Sequence, residues 1–260
     1  MSAPAAREAQ DGRTWPLRAS AGGCSIMGGH NYNEDRLLLV DDGTFCAVAD
    51  GMGGTGSGSV MAEVCCEVAW AAWRALRPVM GDTEASLSEA VRIADRAASD
   101  LAARAGDVGS GATMAVASFG GDRMSLASVG DCRAYLFRDG SLRHILDGGR
   151  RDSFSSVPDA ACGWGISPMP RTASLEPEAG DVVVLCSDGV WATQPEYAMA
   201  KSLSVAEQCE GKVTATCLAH RLAYSSDQSD NATAIVTVFE EVTGNEGDSF
   251  QQHFYPSSPR

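Results

Sequence analysis

Hydrophobic and polar positions divide this chain into a strand-rich part, a helical part and a second strand-rich part. The segment DRLLLVDDGTFCAVAD (35–50) predicts two strands. They are joined at Asp42-Gly43, a dipeptide typical of hairpin turns because the central positions of such turns need positive φ. Apolar residues then recur at helical spacing. This spacing predicts helices over 57–78 and 83–105, with Thr83 as the N-cap of the second.

In the following segment apolar and polar residues alternate again, and residues 112–146 predict four short strands. The turns between them are Gly120-Gly121-Asp122, Gly130-Asp131 and Asp139-Gly140. Tight turns of this kind indicate an antiparallel meander. A stretch rich in Gly, Ser and Pro covers 147–170, and a strand follows over 181–189. A helical region then extends to about residue 224 and a last strand covers 232–242. Two antiparallel sheets with helices outside them are therefore predicted.

Composition favours one globular domain. The 260 residues are 44% hydrophobic and 21% charged, which is ordinary for such a domain. The net charge of −14 argues against nucleic acid and anionic membranes as partners, because neutralising phosphates requires clustered Lys and Arg. No apolar window is long enough to span a membrane. The ends, 1–18 and 243–260, lack any apolar pattern and are predicted to be mobile, which leaves a domain over 19–242.

The nine cysteines do not form a disulfide framework. There is no CxxC pair, Cys65 and Cys66 are adjacent, and most others lie in apolar runs. They are therefore predicted to be small buried hydrophobes in a reducing compartment. The first residues lack the apolar segment of a secretory signal. We expect a cytoplasmic protein.

The glycine-rich stretch after the second strand allows two interpretations. Gly51-x-Gly53-x-x-Gly56 has the spacing of a dinucleotide-binding loop. In that fold, however, a parallel strand follows the helix, whereas here a second helix follows and the strands are linked by hairpins. A P-loop is excluded because no Lys-Ser/Thr closes the run. The second interpretation, an aspartate held at a strand end to bind a metal, is therefore favoured.

Acidic residues recur at the ends of the predicted strands. A single Asp-Gly pair there is ordinary turn chemistry. A set of carboxylates at one rim of a sandwich, however, would repel one another unless cations lay among them. Oxygen ligands without a His or Cys cluster suit Mg²⁺ or Mn²⁺ better than zinc. The set comprises Glu34, Asp35, Asp50, Asp131, Asp188 and Asp230.

The motifs NED, ADGMGG, GAT, VGDCRAY, LCSDG and DNATAIV stand in a fixed order. With them the chain resembles, over residues 19–240, the bacterial branch of the type 2C metal-dependent serine/threonine protein phosphatases. The resemblance implies an α+β fold, a four-layer α-β-β-α sandwich in which helix pairs flank two antiparallel sheets. It also implies a phosphorylated protein as substrate, a Ser/Thr kinase or its target as partner, and a monomer.

The resemblance assigns a role to each acidic residue by its motif. Asp50 is expected to bridge two metal ions, and the carbonyl of Gly51 to bind one of them. Asp188 and Asp230 are expected to hold the second ion, and Asp131 a third. The remaining acids, which are expected to act through metal-bound water, are Glu34 and Asp35. The residues expected to be catalytic are Asp50, Asp35 and Asp188.

The family chemistry implies two or three Mg²⁺ or Mn²⁺ ions. Paired cations lower the pKa of a bridging water, so that hydroxide forms near neutral pH and attacks phosphorus in line. A covalent enzyme intermediate is not needed.

Two departures of the sequence from the family pattern bear on substrate binding. His30 stands where the family has a phosphate-binding arginine, and it lacks the planar fork of a guanidinium. Substrate phosphate is therefore expected to contact His30, or Arg36 or Arg150 in its place. The region 147–180 is a shortened flap. Trp164 within it either packs under the loop or touches substrate.

Two functions follow from these features. The first is hydrolysis of phosphoserine and phosphothreonine in proteins, opposing a bacterial Ser/Thr kinase. The alternative is a phosphoprotein-binding regulator with the phosphatase fold and weak or no turnover. Retention of the aspartates favours the enzyme, because a binding module usually loses one of them.

Overall fold

The computed structural model describes residues 17–40, 44–53, 57–107, 109–120, 122–147, 149, 157–165, 167–205 and 215–241. The strands are β1 (Leu17–Ile26), β2 (Asp35–Leu39), β3 (Phe45–Met52), β4 (Gly111–Gly120), β5 (Arg123–Val129), β6 (Arg133–Arg138), β7 (Ser141–Asp147), β8 (Arg171–Leu175), β9 (Val182–Cys186) and β10 (Ala232–Glu241). The helices are α1 (Ser57–Met80), α2 (Glu84–Ala105), α3 (Asp188–Trp191), α4 (Glu196–Leu203) and α5 (Ala215–Tyr224).

The strands form two antiparallel sheets of five strands each. One sheet has the order β1-β10-β9-β6-β7, and the other has the order β2-β3-β4-β5-β8. Helices α1 and α2 cover the outer face of the second sheet, and α4 and α5 cover the outer face of the first. The predicted α-β-β-α sandwich is confirmed.

Alternation along β3 separates two layers of the core. Successive side chains of a strand point to opposite faces. Ala47 and Ala49 pack against the helix pair α1 and α2, whereas Val48 packs in the layer between the sheets. In β9, Val184 likewise faces the helices while Leu185 faces the other sheet. The layer between the sheets ends at the carboxylates described below.

Helix α2 follows its sequence signals closely. Thr83 is the N-cap, and its side chain accepts a hydrogen bond from the backbone N–H of Ser86 at 3.1 Å. The Ser86 side chain in turn accepts one from the N–H of Thr83 at 3.1 Å. Gly106 ends the helix with φ of 68°, a left-handed conformation that glycine adopts without strain. The predicted helix over 83–105 is therefore confirmed.

Two strands were not predicted from the sequence. β1 begins at Leu17, inside the segment predicted to be a mobile tail, and pairs with β10 along its whole length. β8 lies within the predicted flap region and pairs with β5 at the edge of its sheet. The rest of the predicted N-terminal tail, the C-terminal tail 243–260 and the hairpin turn at Asp42-Gly43 lie outside the described residues. Within the described ranges, no helix is both long and apolar enough to cross a bilayer.

Candidate metal centre

The predicted acidic residues meet at one end of the sandwich because the strand ends converge there. Asp35 at the start of β2 pairs with Asp50 near the end of β3. Asp188 follows β9 and Asp230 precedes β10, and these two strands are antiparallel neighbours. Asp131 lies in the turn between β5 and β6. The structure thus brings together aspartates from both sheets.

Ser187 fastens the two sheets together at this end. Its Oγ donates a hydrogen bond to Oδ2 of Asp35 at 2.7 Å. The same Oγ accepts one from the backbone N–H of Thr233 at 3.0 Å. Ser187 and Asp35 are both buried. The hydroxyl therefore fixes the Asp35 carboxylate in the space between the sheets.

Burial and mutual repulsion disfavour the charged forms of Asp35 and Asp50. Burial raises the pKa of Asp35 to about 7, although hydrogen bonds from Ser187 and Thr233 oppose the shift. Burial also raises the pKa of Asp50 well above its ordinary value, and the charges of Asp35, Asp188, Asp131 and Asp230 raise it further. Such an arrangement destabilises the charged forms unless cations compensate them.

Within the acidic cluster, two buried carboxylate oxygens accept no hydrogen bond from the described residues, namely Oδ1 of Asp35 and Oε1 of Glu34. Buried polar atoms are nearly always satisfied, so an orphaned carboxylate oxygen indicates a missing partner. The donor set consists of oxygens, which fits hard divalent cations such as Mg²⁺ or Mn²⁺. The described residues contain no preformed group of three or more His, Cys, Asp or Glu side chains at ligand spacing.

Gly51 allows the start of α1 to pack against β3. A Cβ at Gly51 would lie 2.0 Å from the carbonyl oxygen of Gly58, so no larger residue fits there. The Gly51 N–H donates a hydrogen bond to the carbonyl of Glu34 at 3.2 Å. The Glu34 carboxylate points toward this helix: a Cβ on Gly58 would lie 2.7 Å from Oε1 of Glu34. Close backbone packing is thus an additional reason for glycine at position 51.

Asn231 holds the loop before β2 against the strand end that carries Asp230. Its Nδ2 donates to the carbonyl oxygens of Met27 at 2.6 Å and Tyr32 at 3.0 Å. Its Oδ1 accepts from the N–H of Glu34 at 2.8 Å. Sequence reasoning missed Asn231 and Ser187 as site residues. Their only sequence signal is that each is adjacent to a predicted aspartate ligand.

The three predicted phosphate contacts have different outcomes. His30 is exposed, and its Nε2 lies 3.1 Å from Oδ1 of Asp230, so it is at the cluster. Arg36 is not brought there: its guanidinium donates to the carbonyls of Asn33 and Asp35 and lies 3.9 Å from Glu63 on α1. The cause is alternation along β2, which directs Asp35 between the sheets and Arg36 toward the helices. Arg150 lies outside the described residues.

The described part of the shortened flap is attached to the rest of the fold. Cys162 and Ala112 exchange two backbone hydrogen bonds of 2.9 Å, and the N–H of Gly163 donates to the buried Asp95 at 3.0 Å. The indole Nε1 of Trp164 donates to the carbonyl of Gly109 at 3.1 Å. Of the two alternatives for Trp164, this geometry supports packing under the loop.

The order of motifs and the geometry of their acidic residues agree with the comparison to known families. The family model of protein phosphatase 2C matches residues 24–223. The chain belongs to the protein phosphatase 2C family. The resemblance inferred from the motifs is thereby confirmed.

A relative of this phosphatase 2C chain is a bacterial serine/threonine protein phosphatase. The chain is 31% identical over 226 residues to serine/threonine protein phosphatase PstP of Mycobacterium tuberculosis, strain H37Rv. That match covers 78% of this chain and 41% of PstP, so the chain spans about two fifths of the relative's length.

Solved structures share the fold. The catalytic domain of PstP in complex with two manganese ions superposes with a TM-score of 0.73 at 26% identity, covering 86% of this chain and 100% of that one. PppA of Pseudomonas aeruginosa superposes with a TM-score of 0.71 at 23% identity, covering 85% of this chain and 97% of that one, a likeness of fold alone. The sandwich is therefore that of bacterial phosphatase 2C catalytic domains.

Proposed function

We propose that this phosphatase 2C domain hydrolyses phosphoserine and phosphothreonine in proteins, using two or three Mg²⁺ or Mn²⁺ ions. The observation that carries the proposal is the meeting of aspartates from both sheets around the buried, unsatisfied Oδ1 of Asp35. The two manganese ions in the related PstP catalytic domain support the same class of cofactor.

In this proposal each group of the chain has a defined task. The metal ligands are Asp50, the Gly51 carbonyl, Asp188, Asp230 and Asp131, with Glu34 and Asp35 contributing through water. Bound divalent cations would activate water and neutralise charge on the phosphoryl oxygens. Ser187 holds Asp35 in place, and Asn231 orders the loop that carries Glu34. Asp50, Asp35 and Asp188 are the residues we propose as catalytic.

The test is hydrolysis of p-nitrophenyl phosphate and of a phosphothreonine peptide with Mn²⁺, with Mg²⁺ or with excess EDTA. We expect turnover of both substrates with a divalent cation and loss of activity in EDTA that returns when Mn²⁺ is restored. Activity that persists in EDTA would contradict the metal mechanism. A protein that binds the phosphopeptide but is inert with every metal would favour the regulator alternative, which the retained aspartates and the family relatives do not favour.

Three further features belong to the proposal. The substrate must be phosphorylated by a protein Ser/Thr kinase, so the kinase or its target is the proposed partner. A monomer is sufficient, because all the proposed ligands come from one chain. A cytoplasmic location is supported by the free thiols of the described cysteines, most of which are buried in the core.

His30 is the proposed contact for substrate phosphate. His30→Arg is expected to lower KM for a phosphothreonine peptide about threefold to tenfold, because a guanidinium forks onto phosphate and imidazole does not. We expect kcat to stay within about twofold, since the metal ligands are unchanged. The measurement is steady-state kinetics with saturating Mn²⁺.

Arg36→Gln is the matched control for this prediction, because Arg36 lies on the other face of β2. It should leave KM unchanged. An unchanged KM in His30→Arg, or a raised KM in Arg36→Gln, would contradict the assignment of the phosphate contact to His30.

A further inference from the structure

Trp191 connects two of the proposed metal-binding segments. It ends the short helix α3, three residues after Asp188, so the two residues lie on the same helical turn. Its indole Nε1 donates a hydrogen bond of 3.0 Å to the backbone carbonyl of Asp131. One side chain thus links the segment that presents Asp188 to the turn that presents Asp131.

The Asp131 turn is fixed on its other side by β4. Gly130 has φ of 81°, and a Cβ there would lie 2.4 Å from the side chain of Thr113 and 2.8 Å from the carbonyl of Ala160. The hydroxyl of Thr113 also lies 3.2 Å from Sγ of Cys132. The backbone on either side of Asp131 therefore packs tightly against the second sheet, and Trp191 fixes the carbonyl between them.

Arg133 holds the indole ring in place. Its guanidinium carbon lies 3.4 Å from the centroid of the Trp191 ring, a stacked cation–π contact. Its Nη1 donates to the hydroxyl of Tyr135 at 3.1 Å, and Tyr135 is fully buried. Because β6 alternates, Arg133 and Tyr135 lie on the helix side of the sheet while Ala134 faces the other sheet. Arg133, itself held by the buried Tyr135, thus supports the Trp191 ring.

We propose that Trp191 is a positioning residue that couples the Asp131 turn to the Asp188 helix, so that the ion held by Asp131 and the ion held by Asp188 keep a fixed position relative to each other. The inference rests on the proposed function, because it takes Asp131 and Asp188 as metal ligands. It goes beyond that function by identifying what sets the position of Asp131. Arg133 supports the coupling by orienting the indole.

Trp191→Phe tests the coupling, since it keeps an aromatic ring for Arg133 and removes the N–H donor together with the five-membered ring that carries it. We expect the affinity of the Asp131-dependent Mn²⁺ site to fall about tenfold, which is typical for loss of a partner that orients a ligand. The affinity is measured by calorimetric titration of the metal-free chain. KM for the phosphopeptide should stay within about twofold.

Trp164→Phe is the matched control, because it also removes one indole hydrogen bond to a backbone carbonyl, that of Gly109. It should leave Mn²⁺ affinity unchanged. In an Asp131→Asn background, Trp191→Phe should have no further effect on Mn²⁺ binding, because the two changes act on one site. Thermal unfolding of each variant verifies that it is folded. If Trp191→Phe does not fold, Arg133→Lys replaces it, because it weakens the stack that orients the indole. The same loss of Mn²⁺ affinity is then expected.

Equal loss of Mn²⁺ affinity in the control, or an undiminished effect of Trp191→Phe in the Asp131→Asn background, would show a general structural role and overturn the coupling. Wild-type Mn²⁺ affinity retained in Trp191→Phe would overturn the coupling while leaving the proposed function intact. A wild-type chain that binds no Mn²⁺ would overturn both.

Discussion

Asp50→Asn is expected to lower kcat for a phosphothreonine peptide by about a thousandfold or more, because it removes charge from the centre of the proposed metal site. Burial raises the pKa of Asp50, and the charges of four other aspartates raise it further. An amide of the same shape cannot bridge two cations as a carboxylate does. The measurement is steady-state kinetics at saturating Mn²⁺.

Asp95→Asn is the control for this variant. Asp95 is also buried, but it lies on α2 and accepts a hydrogen bond from the N–H of Gly163, which asparagine can still accept. Its kcat should stay within about threefold of wild type. An Asp50→Asn protein that retains wild-type kcat would contradict the assignment of Asp50 as the bridging ligand.

Asp50→Asn is also expected to stabilise the metal-free fold. Burial and the neighbouring aspartates raise the pKa of Asp50, so the folded state favours its neutral form and the charged carboxylate reduces stability at neutral pH. Asparagine removes that charge and keeps the shape. In EDTA we expect the unfolding temperature to rise by several degrees, since about 1 kcal/mol corresponds to roughly 2–4 °C in a domain of this size.

With Mn²⁺ present, wild type should be more stable than Asp50→Asn. A ligand that binds only the folded state stabilises it by mass action, so wild type should gain stability with Mn²⁺ while Asp50→Asn gains much less. Asp227→Asn is the control, because Asp227 is exposed and hydrogen bonds from Ser229 lower its pKa. It should show no stabilisation in EDTA. An unfolding temperature of metal-free Asp50→Asn below that of wild type would contradict the account of mutual repulsion.

The elements that were predicted correctly carry strong local signals. β3 is a continuous apolar run, and α2 combines an N-cap with an apolar face at helical spacing. β1 has the sequence LRASAGGCSI, whose small and polar residues give no strand pattern. It is a strand because it pairs with β10 over ten residues, and its Gly22 lets α5 approach: a Cβ there would lie 2.3 Å from the N of Thr216. Such long-range pairing cannot be found from local sequence.

In the site, too, features with a local sequence signal could be predicted, whereas those that depend on long-range contacts could not. Aspartates beside glycine or asparagine at strand ends could be recognised one by one, and the antiparallel pattern brought them to one rim. The groups that orient them could not, because Ser187 and Asp35 are 152 positions apart in sequence, and Asn231 and Tyr32 are 199 apart. The alternation of side chains along β2 would by itself have excluded Arg36 as a phosphate contact, because Arg36 is adjacent to the inward-facing Asp35.

The central claim is that the carboxylate cluster holds divalent cations. It is tested most directly by counting Mn²⁺ bound per chain at equilibrium dialysis, in wild type and in Asp50→Asn. We predict two or three tightly held Mn²⁺ ions in wild type and at least one fewer in Asp50→Asn. A wild-type chain that holds none, or an Asp50→Asn chain that holds as many as wild type, would contradict the claim.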